Sequence, residues 1–407
     1  MIKSKNQLDQ LLKSKTVSHS YSPGVEKLIN LAETYLSDAE KMAERGENVV
    51  WMQGWQFIPL AYSCGVIPIM YSEMGLVGGE EAIAIAEKNY QVPPETCSMV
   101  KISLGEWYLR RNSPIKRIFG LDSACEPYNI AWEMLKNENY DIYTADVLYR
   151  APGIEGERYE GLVRHFINET DRLALWFTGG KSADEKKFAA ELKRKNRCME
   201  KIRRIVDLRI DNPLYIKSLP MMFLLAGLNH YYGKPDVFGE VLDEIVTELE
   251  KCRPDSPADG TPVPLVWVGA RSQNFGLYEA IDRAGGALLG FVNAPFKKAF
   301  REDLPPAESV ARYTLNGQAA GAAVYRRGYV VEQVRKTGAK GIILHGFIGC
   351  SNGSVTNEMF GNYFREQGVP CLNLEGSFQV GPPSGQVLTR IAAFIEALGD
   401  GGRRLGL

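Results

Sequence analysis

The chain has 407 residues, 45% of them hydrophobic, enough for two or three domains with sizeable cores. Its 48 basic and 49 acidic residues give a net charge of -1, which leaves no electrostatic footprint for nucleic acid or an anionic membrane. No apolar run approaches the roughly 18 residues of a membrane span. The polar N-terminus "MIKSKNQLDQLLKSK" also lacks the apolar centre of a signal peptide, so a cytoplasmic location is expected.

Residues 1–48 read as a helical segment, because "VEKLINLAETYLSDAEKMAERG" repeats its apolar residues at three- and four-residue steps and stops at glycine. A first α/β domain is expected over 49–157, with strands in "CGVIPIMYS" (64–72), "IKRIFGLDS" (115–123) and "YDIYTADVLY" (140–149) separated by helical patterns. The chain then turns helical and charged, as in "DEKKFAAELKRKNRCMEKIRRIVDLRI", and reaches a Pro-, Asp- and Gly-rich linker at 253–264. That places a helical segment and linker over 158–255. A second α/β domain follows over 256–407, with strands in "PLVWVGA", "GALLGFV", "GIILHG" and "PCLNLEG". Its helices fall in "LYEAIDRAG", "GYVVEQVRKTG", "NEMFGNYFREQG" and "LTRIAAFIEALG". The fold class is therefore α/β, two Rossmann-like parallel-sheet units joined by a helical segment, with no internal repeat visible in the residues. Neither unit has a GxxxxGK[ST] phosphate loop, and "GALLGF" and "GQAAGAA" are not dinucleotide fingerprints.

Seven cysteines stand at 64, 97, 125, 198, 252, 350 and 371, an odd number that argues against a disulfide framework. Cys125 and Cys350 fall just beyond strands, where ligand sites of open α/β sheets gather. Cys97 follows the Pro-Pro break of "QVPPETC", where a helix can begin and its N-terminal dipole favours a thiolate. Two readings stand: three small core thiols, or one metal site assembled from both units. Structural zinc takes four ligands with paired short spacings, so iron–sulfur is favoured over zinc for this set. Three thiolates would leave one iron of a cubane open. Cys64, Cys198, Cys252 and Cys371 read as packed or incidental. His345 ends a strand and is more simply a hydrogen-bonded structural residue than a catalyst. Glu73 ends the "IPIMYSE" strand, either as a solvated carboxylate or projecting into the cleft.

The order "GVIPIMYSEM", "TCSMVKISLG", "SACEP", "ILHGFIGCSNGS" and "GQVLTRIAAFIEAL" resembles the iron–sulfur subunits of 2-hydroxyacyl-CoA dehydratases and benzoyl-CoA reductases, over about residues 45–398. The resemblance implies that Cys97, Cys125 and Cys350 hold one 4Fe–4S cluster with an open position, alone or as half of a sulfide-bridged double cubane. It also implies a homologous second subunit or a second copy of the chain. A separate ATP-hydrolysing activator would deliver single electrons, in keeping with the missing phosphate loop. Glu73 and His345 are carried over as proton-handling or polar site residues. Two positions depart from the dehydratases: Gln53 stands where those enzymes place a serine, and "GFIG" replaces an arginine-containing run before Cys350. Gly385, Gln386, Thr389 and Arg390 open the last helix, which Thr389 and Arg390 are expected to orient.

Three functions remain open from the sequence. The first is a subunit acting on an acyl-CoA thioester, as a benzoyl-CoA-type reductase or a 2-hydroxyacyl-CoA dehydratase. The second is a homodimeric double-cubane protein reducing small molecules. The third is a two-domain binding protein without redox chemistry, since fold alone does not fix function.

Overall fold

Short apolar runs alternating with helical patterns become two sheets of four parallel strands each, which bears out the expected fold class. The structure, a computed structural model, describes residues 22–76, 78–122, 125–252, 261–292, 299–317, 323–351, 353–377 and 382–400. The helical pattern expected over 1–21, the linker residues 253–260 and residues 318–322 of "GQAAGAA" lie outside the described residues.

The first unit runs α1 (Pro23–Glu44), β1 (Val49–Met52), α2 (Ile58–Ser63), β2 (Ile67–Met70), α3 (Glu80–Asn89), α4 (Ser98–Leu109), β3 (Arg117–Asp122), α5 (Glu126–Leu135) and β4 (Asp141–Asp146). Four helices follow: α6 (Gly156–Thr178), α7 (Glu185–Asp211), α8 (Ser218–Gly227) and α9 (Pro235–Lys251). The second unit begins with β5 (Val263–Gly269), α10 (Gly276–Arg283), β6 (Gly286–Phe291) and α11 (Pro306–Leu315). It continues through α12 (Ala323–Thr337), β7 (Gly341–Phe347), α13 (Asn357–Glu366), β8 (Cys371–Gly376) and α14 (Gly385–Asp400).

The strand orders are β2-β1-β3-β4 and β6-β5-β7-β8, so one arrangement occurs twice although the sequence shows no repeat. In each sheet the order reverses beside the first strand, and that reversal opens a crevice at the carboxyl ends of β1 and β3, or of β5 and β7. All four strands of the second unit coincide with the runs read from the sequence to within a residue, because their apolar residues stand out between turn formers. The first unit hides its central strand: "VVWM" is four residues long, fully buried, and directly follows α1 and a turn. Too short to register as a pattern, it is nonetheless the strand on which β2 and β3 both pair. Cys64 does not open a strand either; it caps α2, and β2 begins three residues later at Ile67.

A buried carboxylate joins the two units. Glu73, in the 3-10 turn after β2, is 1% exposed and meets the Arg271 guanidinium from the loop after β5 at 2.5 Å. His230, from the helical segment, brings Nε2 to 3.5 Å of the same oxygen. The Tyr232 backbone N–H donates to His230 Nδ1 at 3.0 Å, so the ring proton sits on Nε2 and faces the carboxylate. Gln273 adds a second link, donating to the Ser72 carbonyl at 2.8 Å. Burial alone would raise the Glu73 carboxyl, but the Arg271 charge and His230 overturn that and hold it at about 2, against an ordinary 4.5.

Removing one member of a buried charge pair costs about 3–5 kcal/mol, so Glu73→Gln is expected to destabilise the protein by that order in urea unfolding. Because the folded-state value lies below the unfolded one, this stabilisation is complete above about pH 4.5 and is lost as pH falls toward 2. The wild-type minus variant difference in unfolding free energy should shrink across that window. A difference that does not change with pH there contradicts the assignment.

Candidate functional site

Cys125 and Cys350 sit where a strand hands over to a helix or turn, and Cys97 sits in the loop between α3 and α4. Cys97 is the N-cap of α4 and Cys125 the N-cap of α5, and their carbonyls accept the first backbone bonds of those helices from Val100 at 3.0 Å and Tyr128 at 3.0 Å. Cys125 lies three residues past the end of β3, and Cys350 three residues past the end of β7. The two α/β units thus contribute a cysteine from equivalent places.

Backbone geometry brings Cys350 to Cys97. Gly349 has φ +77, and a Cβ there would lie 2.0 Å from the Glu95 carbonyl oxygen and 2.8 Å from the Cys97 nitrogen. Only glycine allows that approach without strain. The two thiols are close enough to hydrogen-bond, and this contact, followed by burial, drives the Cys97 thiol well above its ordinary range. Burial likewise raises Cys125, with Cys350 adding a further push through space. Opposing these, each sulfur is met by backbone N–H groups two or three residues ahead: Met99 and Val100 for Cys97, Tyr128 for Cys125, and Gly353, at 3.2 Å, for Cys350.

Tyr71, half-buried in the turn after β2, lies within electrostatic reach of all three thiols. Burial raises its phenol, and the thiols of Cys125, Cys97 and Cys350 all add to that, while a hydrogen bond from Gln53 opposes them. Its ring packs edge-on to Tyr128 at 4.8 Å, and Tyr128 is hydrogen-bonded to Ser103 of α4 at 2.8 Å. No three His, Cys, Asp or Glu side chains among the described residues converge on a single-ion position. A polynuclear cluster spreads its ligands over several metal atoms and makes no such demand. The donor set fits one: three soft sulfurs from two units, each met by backbone N–H donors. It fits a nucleophilic cysteine poorly, because that chemistry needs a lowered thiol.

Glu73 turns to Arg271 and His230 as described above. His345, 2% exposed on β7, stacks on Trp267 at 4.9 Å and brings Nδ1 to 3.1 Å of the Ala270 carbonyl. A carbonyl only accepts, so Nδ1 carries the proton and Nε2 holds a buried lone pair with no partner among the described residues. Burial lowers this ring to about 4. Thr389 bonds back to the Gly385 carbonyl at 3.0 Å within α14, and Arg390 ties that helix to β8 through the Asn373 carbonyl. Cys198 is buried in α7, Cys252 and Cys371 donate to nearby carbonyls of Glu248 and Val369, and none of the three joins the set.

A family model described as 2-hydroxyglutaryl-CoA dehydratase, D-component, matches residues 58–398. The chain belongs to that family. No curated protein matches it. The matched stretch contains Cys97, Cys125, Cys350, Glu73 and His345, whereas β1 and Gln53 precede it.

Two residues of this site lay beyond the sequence reading. Tyr71 sat unremarked inside "IMYSEM", since nothing in its spacing sets it apart. Arg326, on α12, comes into electrostatic range of Cys350 and Tyr149, and among the described residues no carboxylate acts on it. Burial lowers this guanidinium. Arg326 thus lies within electrostatic reach of Cys350 from another helix, which no local motif can reveal.

In metal-free protein, mild oxidation with diamide is expected to join Cys97 to Cys350, read by peptide mapping. Gly349→Ala should lower that yield several-fold by forcing the two loops apart. Cross-linking confined to other cysteine pairs would contradict the geometry.

Proposed function

We propose that this chain is the cluster-bearing catalytic subunit of an ATP-activated enzyme acting on an acyl-CoA thioester, of the 2-hydroxyacyl-CoA dehydratase type. The observation that carries the reading is the close approach of the Cys350 loop to Cys97 at Gly349, with Cys125 at the cap of α5, inside a family whose model covers residues 58–398. A 4Fe–4S cluster on these thiols would supply single electrons at low potential. The residues around it have definable tasks. Backbone N–H donors and the Arg326 guanidinium offset the negative charge of three thiolates. Trp267, Phe347 and His345 form a buried aromatic stack at the carboxyl end of β5 and β7, the strand that leads to Cys350. Tyr71 and the His345 Nε2 lone pair are the polar groups available to a bound thioester or to a proton.

Partner binding is part of the same reading. Ile348, Val355 and Met359 are 61%, 66% and 52% exposed and flank Cys350 in the chain, an apolar surface that a homologous subunit or a second copy would cover. A separate activator would supply the ATP hydrolysis for which this sequence has no phosphate loop. No helix among the described residues is long and apolar enough to cross a membrane.

A benzoyl-CoA-type reductase is the second reading, and one observation favours it. Gln53 occupies the place of the dehydratase serine, and its side-chain Oε1 accepts the Leu121 backbone N–H at 2.7 Å.

The test is an anaerobic assay with ATP, an activator and a partner subunit. A 2-hydroxyacyl-CoA should lose water to give the 2-enoyl-CoA, detected by mass spectrometry, and Cys97→Ala, Cys125→Ala and Cys350→Ala should each fall to background. Cys198→Ala and Cys252→Ala should retain activity. Reduction of benzoyl-CoA without dehydration would select the second reading, and full activity in all three motif variants would overturn both.

A further inference from the structure

We propose that the His345 Nε2 lone pair accepts the hydrogen of a 2-hydroxyl group on a bound acyl thioester, which makes His345 a specificity-determining residue, and that Trp267 is its positioning residue. The inference rests on the acyl-CoA reading above and deepens it by naming the substrate group that is recognised.

His345 lies where the second sheet reverses its strand order, opposite Gly269, the last residue of β5, and on the strand that leads to Cys350. Ligand sites of open α/β sheets form at such a reversal, beyond the carboxyl ends of the strands. The ring is held in one orientation there. Its Nδ1 donates to the Ala270 carbonyl at 3.1 Å, and the same carbonyl accepts the Trp267 indole N–H at 3.2 Å. The two rings stack 4.9 Å apart, and Phe347 meets the imidazole edge-on at 5.3 Å. The loop that carries Ala270 is fixed in turn. The Tyr278 hydroxyl accepts the Ser272 N–H at 2.8 Å, and Gln273 donates to the Ser72 carbonyl at 2.8 Å. A flipped imidazole would set a carbon against Ala270 in place of the Nδ1 hydrogen, so one contact fixes both the tautomer and the direction of Nε2.

Nε2 is consequently an acceptor only. It belongs to a residue 2% exposed and has no partner among the described residues, and a buried acceptor in that state costs free energy until a donor meets it. Burial also lowers the ring to about 4, so at neutral pH it is uncharged and takes a hydrogen rather than drawing in an anion. A thioester carbonyl and a benzoyl ring offer no such hydrogen. A hydroxyl beside the thioester carbonyl does, and a site built to bond a hydroxyl rejects the analogue that lacks it.

The experiment is anaerobic calorimetry of the oxidised protein with a 2-hydroxyacyl-CoA and with the same acyl-CoA lacking the hydroxyl, joined to nitrogen NMR of isotope-labelled histidines. Wild type should bind the hydroxyl compound roughly tenfold more tightly, and only that compound should move the His345 Nε2 resonance. His345→Phe should bring the two affinities together. Trp267→Phe keeps a stacking ring but removes the indole N–H, so the His345 spectrum should show both tautomers and the preference should shrink. An unaltered spectrum and preference in that variant overturn the role of Trp267. Equal affinities in wild type overturn the hydroxyl assignment. So does an Nε2 resonance that moves with both compounds, since the donor is then an amide of the shared coenzyme arm. Should His345→Phe fail to fold, the wild-type affinities and spectrum decide alone. Failure of wild type to bind either compound would instead overturn the reading on which the inference rests.

Discussion

The ion pair between Glu73 and Arg271 fixes how the two α/β units face each other. Of the three motif cysteines, the first unit holds Cys97 and Cys125 and the second only Cys350. A charged pair buried at the junction has one acceptable geometry, because any displacement leaves a desolvated charge without its counterpart. With His230 and Gln273 joining the same junction from the helical segment and the second unit, relative sliding of the sheets is strongly opposed. The close approach of Gly349 to Glu95 and Cys97 is then a consequence of that docking.

The electrostatics of the site make sense for thiols that await a metal. Burial and mutual proximity raise Cys97 and Cys125, so without a cation they stay protonated. Metal binding would displace those protons, and the helix N-termini and the N–H groups ahead of each sulfur would carry part of the resulting negative charge. Arg326 contributes a whole charge from outside these loops. The same features would hinder a nucleophile, whose thiolate has to exist before its substrate arrives.

Much of this was legible in the residues, for reasons that can be named. Seven of the eight strands are runs of apolar or aromatic residues bounded by turn formers, and the parallel order follows from the helices between them. The three cysteines stood out because each follows a strand or a Pro-Pro break and because five loose motifs come in family order. What could not be read was whatever depends on two distant segments meeting. "VVWM" is too short to carry a period, Tyr71 gains its importance only from three sulfurs that come from elsewhere in the chain, and Arg326 reaches Cys350 from a different helix. The duplicated strand order is invisible for the same reason, since a topology can recur where side chains do not.

The central claim is that Cys97, Cys125 and Cys350 form one cluster site. Iron and acid-labile sulfide per chain, measured on protein produced and purified without oxygen, test it most directly. The account predicts about four of each per chain, with sulfide appreciably above iron if two cubanes are bridged by a sulfide. Near-zero iron after cluster reconstitution would contradict it, leaving the three as ordinary thiols in a protein that keeps the family's fold without its chemistry.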